Sequence, residues 1–309
     1  MPGAEMEKKD GSERISFLCR ELERCYGKQN AGRILAGMSS GRRSSFRVNR
    51  LKTDADKMEE RLKELGIGYS RKDWFSDAFA IDPVGESALR ETPEYVSGEI
   101  YMQNLSSMIP PLMTDYPEGT DVLDMCAAPG GKTTEIVSLS GGTVGVTACE
   151  KDRIRADRLR YNLSRQGCTG VNVINGDARK LDSMLRFDRV FLDAPCSGSG
   201  TVLTGEPETY KAFSEELVRN SAVLQLQLLK KGISLLKRGG ILIYSTCSLL
   251  PTENEEIVRA AVRKGETEMI QAPEILRTLP LLESSVPEAV LICPDEEHEG
   301  FFAAAIRKL

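Results

Sequence analysis

DVLDMCAAPGGKTT, residues 121–134, decides the fold. An apolar strand, 121–126, runs into a turn holding Gly130 and Gly131, and residues 133–139 then take up helical spacing. A strand, a glycine turn and a helix open a βαβ unit. The two glycines let the backbone approach a ligand closely, and the helix start offers free N–H donors. The spacing is neither G-x-G-x-x-G nor G-x-x-x-x-G-K-[ST], so the dinucleotide fingerprint and the phosphate loop are both missing. On the loop alone, a purely structural turn stays open.

Downstream, the same pattern repeats. GTVGVTAC (142–149), VNVIN (171–175), DRVFLDA (188–194) and ILIYSTC (241–247) read as strands. Helical stretches cover 153–166, 214–236 and 253–263. Alternation of this kind predicts an α/β, doubly wound parallel sheet. The last segment, 289–309, reads as two strands joined by an acidic turn. Upstream, Ile15, Leu18, Cys19, Leu22, Tyr26, Ile34 and Leu35 predict one or two amphipathic helices over 12–38. A helix near 57–65 and strands near 78–81 and 99–102 complete a small α+β module. The boundary falls within 108–118, giving an N-terminal module of residues 1–113 and a second domain of residues 114–309.

The chain has 309 residues, 40% of them hydrophobic and 28% charged, which suits a globular protein with a substantial core. Its 41 Lys and Arg against 46 Asp and Glu give a net charge of −5. A protein that coats nucleic acid is normally basic, so any such binding needs a local patch. Residues 33–52 supply one: Arg33, Arg42, Arg43, Arg47, Arg50 and Lys52, with no acid among them. From the residues alone, a solvated loop is the favoured reading of the patch. No apolar run approaches the roughly 18 residues of a membrane span, and the polar start lacks the apolar core of a signal peptide. Eight cysteines without a C-x-x-C pair read as reduced thiols. The single histidine, His298, excludes multi-histidine metal sites, so no metal is expected; it reads as a surface residue of the acidic turn.

The ends of the strands carry the chemistry. Glu150 ends the second strand of the sheet, placed to accept from two ribose hydroxyls. Asp177 follows the third, placed to accept from an adenine amine. A nucleoside across these ends fits, because open sheets bind ligands there. DAPCSGSGT (193–201) ends the fourth strand and STCSLLPTENEE (245–256) the fifth, so Cys196 and Cys247 should face one pocket. Cys19, Cys25, Cys149, Cys168 and Cys293 sit in ordinary contexts and read as small apolar fillers. Thr252 and Glu255 match a capping box and take a structural role.

DMCAAPGGKTT, DAPCSGSG and YSTCSLLPTENE resemble the signature motifs of the Nop/Sun family of RNA cytosine-5 methyltransferases. RVNRLK (47–52) and GEIYMQNLSS (98–107) resemble that family's N-terminal module and its lead-in to the catalytic domain. The resemblance implies a seven-stranded class I methyltransferase sheet, S-adenosylmethionine as methyl donor, and a covalent mechanism with two cysteines. It makes Cys247 the thiol that attacks carbon 6 of cytosine and Cys196 the second cysteine, needed to remove the carbon 5 proton and release product. Asp193 would hold the cytosine ring nitrogen and amine. Lys132 is one source of the positive potential a thiolate needs. Cys126, Ala127, Ala128, Pro129, Gly130, Gly131, Lys132, Glu150, Asp177 and Asp193 would line the cofactor. Arg155 matches a family position there, and reads equally as a solvated helix arginine. Pro195-Cys196 also fits the nucleophile motif of DNA cytosine-5 methyltransferases, but those enzymes lack the S-T-C-S segment that favours Cys247. D-A-P-C also differs from the D/N-P-P-aromatic motif of amino-group methylation.

The expected substrate is ribosomal RNA, with transfer RNA as the alternative and Arg42, Arg43, Arg47 and Arg50 as phosphate contacts. A non-catalytic RNA-binding assembly factor would need neither thiol. A DNA enzyme would need a target-recognition insert, and none is visible. No appended RNA-binding domain is visible either. A cytoplasmic monomer is expected.

Overall fold

Asp121–Asp124 forms a strand and Gly131–Leu139 the helix behind it, so the deciding stretch folds as its sequence predicts. The computed structural model describes residues 2–309, with side chains from Glu13 onward. In chain order the elements are α1 (Pro2–Ser39), β1 (Ser44–Val48), α2 (Ala55–Glu64), β2 (Tyr69–Lys72), β3 (Phe75–Ile81), α3 (Gly85–Arg90), α4 (Pro93–Ser97) and β4 (Ile100–Met102). Then come β5 (Asp121–Asp124), α5 (Gly131–Leu139), β6 (Gly145–Glu150), α6 (Arg153–Gln166), β7 (Asn172–Asn175) and β8 (Phe187–Asp193). The chain ends with α7 (Glu215–Leu235), β9 (Leu236–Thr246), α8 (Glu255–Ala261), β10 (Thr267–Ile270), β11 (Val290–Ile292) and β12 (Phe301–Lys308). Among the described residues, no helix is long and apolar enough to cross a membrane.

The larger sheet runs β10-β12-β9-β8-β5-β6-β7, with β11 also paired to β12. Strands β5 to β9 are mutually parallel, and β12 is antiparallel to β9, β10 and β11. Seven strands lie side by side, as expected, and β11 and β10 share one edge of β12. The order reverses at β5, which has β6 on one side and β8 on the other, so a crevice opens above their carboxyl ends. β10 does not stand out in the sequence, because four residues carry too little periodicity.

Alternate side chains of these strands point to opposite faces. Leu123, Val190, Leu242 and Phe302 join α1 and α7 on one face. Val122, Phe191, Ile243 and Phe301 join α5, α6 and the Leu105–Met113 segment on the other. Each such fully buried side chain contributes about 1.5–3 kcal/mol. Polar caps fix where the helices begin: the Asp152 side chain accepts from Arg155 N, and Ser214 Oγ accepts from Leu217 N. Gly167, in the left-handed region, ends α6.

β2-β3-β1-β4 form a separate antiparallel sheet. Phe46, Val48, Met58, Leu62, Phe79, Ile81 and Ile100 make its core with α2. α1 does not belong to this module. Leu18, Leu22, Ile34 and Met38 pack into the core of the larger sheet, and Gly27, at φ 70° and ψ 166°, breaks the helix into two segments.

Candidate active site

The β5–α5 turn is held from every side. Ala127 N donates to Cys149 O, extending the sheet beyond its last pair. Arg155 Nη2 donates to Ala128 O at 2.8 Å, and Asn162 Nδ2 to Pro129 O at 2.8 Å, so α6 carries the turn's rim. From the small sheet, Arg47 Nη2 donates to Gly131 O at 3.0 Å and Thr134 Oγ1 at 2.6 Å. Gly130 caps α5 at φ 108°, a conformation that costs a glycine nothing.

Two cavities flank this turn. One, about 340 Å³, is lined by Met125, Cys126, Glu150, Asp152, Arg155 and Asp177 together with Pro195 and the α7 leucines Leu224 and Leu228. Glu150 Oε1 accepts from Asp152 N at 2.9 Å, while its buried Oε2 has no hydrogen-bond partner. An orphaned carboxylate oxygen in an apolar-walled cavity fits a ribose hydroxyl of S-adenosylmethionine. Asp177 is held by Arg179 through a forked contact, 2.6 Å at its shortest, which pulls its carboxyl down to about 2. Arg179 lines the same cavity, and sequence reasoning missed it; nothing in its sequence context sets it apart from a solvated arginine.

The other cavity, about 260 Å³, is lined by Tyr101, Gln103, Ser107, Asp124, Ala127, Ala128, Lys132, Asp193 and Glu299. Cys126 borders both, so the two spaces meet at its side chain. Lys132 Nζ donates to Asp193 Oδ2 and Ser107 Oγ, each at 2.8 Å, and Ser245 Oγ donates to Asp193 Oδ1 at 2.8 Å. Burial works against the Lys132 charge, but the Asp193 carboxylate outweighs it and raises the ammonium's pKa.

Cys196 Sγ and Cys247 Sγ lie 3.2 Å apart, both as free thiols. The hydrogen bond to Cys196, and then burial, pushes the Cys247 thiol well above its ordinary range. Lys132, the candidate source of positive potential, is itself bonded to Asp193 and Ser107. The carboxylates of Asp193 and Glu299 act on the thiol in the opposite sense.

The cysteine loops are bound to each other. Gly200 N donates to Cys247 O at 2.9 Å, and a Cβ at Gly200 would stand 2.0 Å from Gly300 O, so this position must be glycine. Glu253, fully buried, accepts from Ser197 N, Ser197 Oγ, Gln225 Nε2 and Ser248 Oγ. It ties the residue after Cys196 to the residue after Cys247. Sequence reasoning missed it, because a glutamate in P-T-E-N-E-E reads as solvated. The capping box is a correction: Asn254 precedes α8, and Glu255 accepts from Ser284 rather than reaching back to Thr252.

Two further expectations are corrected. Arg47 is 0% exposed and bonded inside the protein, so no phosphate reaches it. Arg42 is nearly buried beside Glu299, Arg43 pairs with Asp82 and Glu297, and Arg50 pairs with Asp77. Carboxylates from neighbouring segments thus pair with these three arginines, while Arg33 and Lys52 bond to Asn30 and to backbone carbonyls. His298 is buried at 5% exposure, its Nδ1 3.0 Å from Asp295 and its ring 6.5 Å from Trp74. Among the described residues, no group of three or more His, Cys, Asp or Glu could hold a metal ion.

Known proteins share this fold. A solved methyltransferase homologue from Pyrococcus horikoshii superposes with a TM-score of 0.81 at 33% identity, covering 94% of each chain. NSun6 from the same organism superposes at 0.83 with 22% identity, covering 94% of this chain and 97% of that one, and shares the fold. Ribosomal RNA small subunit methyltransferase F is 34% identical in Klebsiella pneumoniae over 281 residues and in Aeromonas salmonicida over 283, covering 86% of this chain. The chain spans 57% and 58% of the length of those two relatives. The sequence model described as 16S rRNA methyltransferase RsmB/F matches residues 112–307, from the segment before β5 to the end of β12. Most of the chain, including both cysteine loops, falls inside that match, and the chain belongs to the RsmB/F family of 16S rRNA methyltransferases.

Proposed function

We propose that the protein methylates carbon 5 of a cytidine in ribosomal RNA, using S-adenosylmethionine, in the cytoplasm. The observation that carries this reading is the pair of thiols 3.2 Å apart beside the Lys132–Asp193 pair. A binding protein has no use for two free sulfurs held 3.2 Å apart. When bound, S-adenosylmethionine supplies an electrophilic sulfonium methyl. Glu150, Asp177, Arg155 and the 126–131 turn, whose Cys126 borders the larger cavity with them, would hold it.

The chain's residues then supply what carbon 5 of cytosine lacks. Cys247 adds to carbon 6 and leaves carbon 5 electron-rich, splitting one difficult step into easier ones. Asp193, fixed by Lys132 and Ser245, accepts from the cytosine amine. Cys196, 3.2 Å from Cys247, takes the second role, removal of the carbon 5 proton so that the Cys247–carbon bond breaks and product leaves. The hydrogen bond to Cys196 and burial both favour the thiol form of Cys247 in the free protein. The cytidine must be unpaired or flipped to reach it.

Radiolabelled S-adenosylmethionine, offered with small-subunit ribosomal RNA, transfer RNA and DNA, tests the reading. Label should enter the ribosomal RNA as 5-methylcytosine. Label confined to DNA, or none anywhere, overturns it.

A further inference from the structure

With Arg47 buried and Arg43 and Arg50 paired, the 33–52 run offers RNA fewer free charges than its sequence suggests. Residues 151–165 hold six basic side chains, Lys151, Arg153, Arg155, Arg158, Arg160 and Arg165, against Asp152 and Asp157. The whole chain is acidic, so this run is a marked local exception.

The geometry of α6 divides these side chains between its two flanks. Ala156, Leu159, Leu163 and Gln166 face the core. At about 100° per residue, Arg155 and Asn162 come next on one flank, and they are the residues bonded to Ala128 O and Pro129 O at the cavity rim. Arg158 and Arg165 follow, then Ile154 and Tyr161. Arg165 is stacked over Tyr95 at 4.7 Å. Arg158 is exposed and has no hydrogen-bond or ion-pair partner among the described residues. Ile154 and Tyr161 are each 67% exposed. Of the two acids, Asp152 caps the helix, and Asp157, which borders Tyr161 on the other flank, is paired with Arg160.

We propose that the flank formed by Ile154, Arg158 and Tyr161 is the track on which single-stranded RNA adjoining the target cytidine lies. The proposal rests on the RNA reading above. Arg158 neutralises a phosphate, Tyr161 offers a ring for a neighbouring base, and Ile154 covers the sugar between them. This combination of a free guanidinium with an exposed aromatic is what unpaired RNA binds without sequence preference. The track ends at the Ala128–Pro129 rim, so a strand lying on it delivers its next nucleotide into the cavity of Lys132 and Asp193.

Fluorescence anisotropy with a short fluorescein-labelled single-stranded RNA tests the track, read between about 50 and 200 mM salt. Tyr161→Ala should weaken binding roughly tenfold. Arg158→Ala should weaken it and reduce the salt slope by about 0.7. Arg153→Ala, on the opposite flank, should change neither. A wild-type protein that fails to bind the RNA, or an Arg153→Ala loss matching that of Arg158→Ala, overturns the track. Methyl transfer separates the two levels. An active enzyme whose KM for RNA ignores Arg158→Ala refutes the track and spares the reaction. Arg158-dependent binding in a protein that transfers no methyl group does the reverse.

Discussion

Lys132 Nζ lies 2.8 Å from Asp193 Oδ2, a bond between the first turn of α5 and the last residue of β8. It joins the two strands that border the crevice and fixes the Asp193 carboxylate as a charged acceptor. Lys132→Met leaves that carboxylate held by Ser245 alone, and Asp193→Asn replaces one of its two acceptor oxygens with a donor. Each should lower kcat by about 100- to 1000-fold. Binding of S-adenosylmethionine, followed by calorimetry, should change far less, because Glu150 and the 126–131 turn remain.

Glu253 accepts four hydrogen bonds from three residues, Ser197, Gln225 and Ser248. Glu253→Ala leaves those donors unpaired in the interior, a loss of about 3 kcal/mol or more. Glu253→Gln keeps one acceptor oxygen and should fall between. Urea unfolding reads the stability. Single-turnover methyl transfer at a temperature where both variants are folded should slow in the same order, because the cysteine loops lose their common anchor.

Glu150 Oε2 is buried beside the larger cavity with no hydrogen-bond partner, its one charged neighbour being Arg155 Nη1 at 3.9 Å. Glu150→Gln keeps the shape and weakens the acceptor. It should raise the Kd for S-adenosylmethionine by roughly 10- to 100-fold, as expected for a charge-assisted hydrogen bond. Unfolding should be little altered. An unchanged Kd by calorimetry would remove Glu150 from the cofactor site.

Asp124 gives a pH signature. Burial pushes its carboxyl up to about 6, against the hydrogen bond from Thr133. A raised folded-state pKa means that the native protein holds this proton more tightly than the unfolded chain. Its stabilising contribution is therefore complete below about pH 4 and is lost as pH rises to about 6. Asp124→Asn removes that loss. The variant should gain stability relative to wild type as denaturant midpoints are compared from about pH 4.5 upward to about 7; a constant difference across that range contradicts the assignment.

Much of this architecture is legible in the sequence because it rests on periodicity. Arg153–Gln166 can be bounded from its helical spacing, and the cysteine loops stand out by their Pro, Gly and Ser residues. Residues whose burial depends on distant partners are not legible. Arg47 looks like a phosphate contact until Gln103, Thr134 and Gly131 surround it. Glu253 looks solvated until two serines and a glutamine point at it. His298 looks like part of an acidic turn until Trp74 covers it. In each case a polar side chain is buried by tertiary contacts that its own segment does not encode.

The central claim is that the two thiols act in sequence, Cys247 first and Cys196 second. Denaturing gels of protein incubated with ribosomal RNA and S-adenosylmethionine measure this directly. Cys196→Ala should accumulate a protein–RNA adduct that survives denaturation, and Cys247→Ala should form none and transfer no methyl group. An adduct that builds up in Cys247→Ala and is absent from Cys196→Ala would contradict the account.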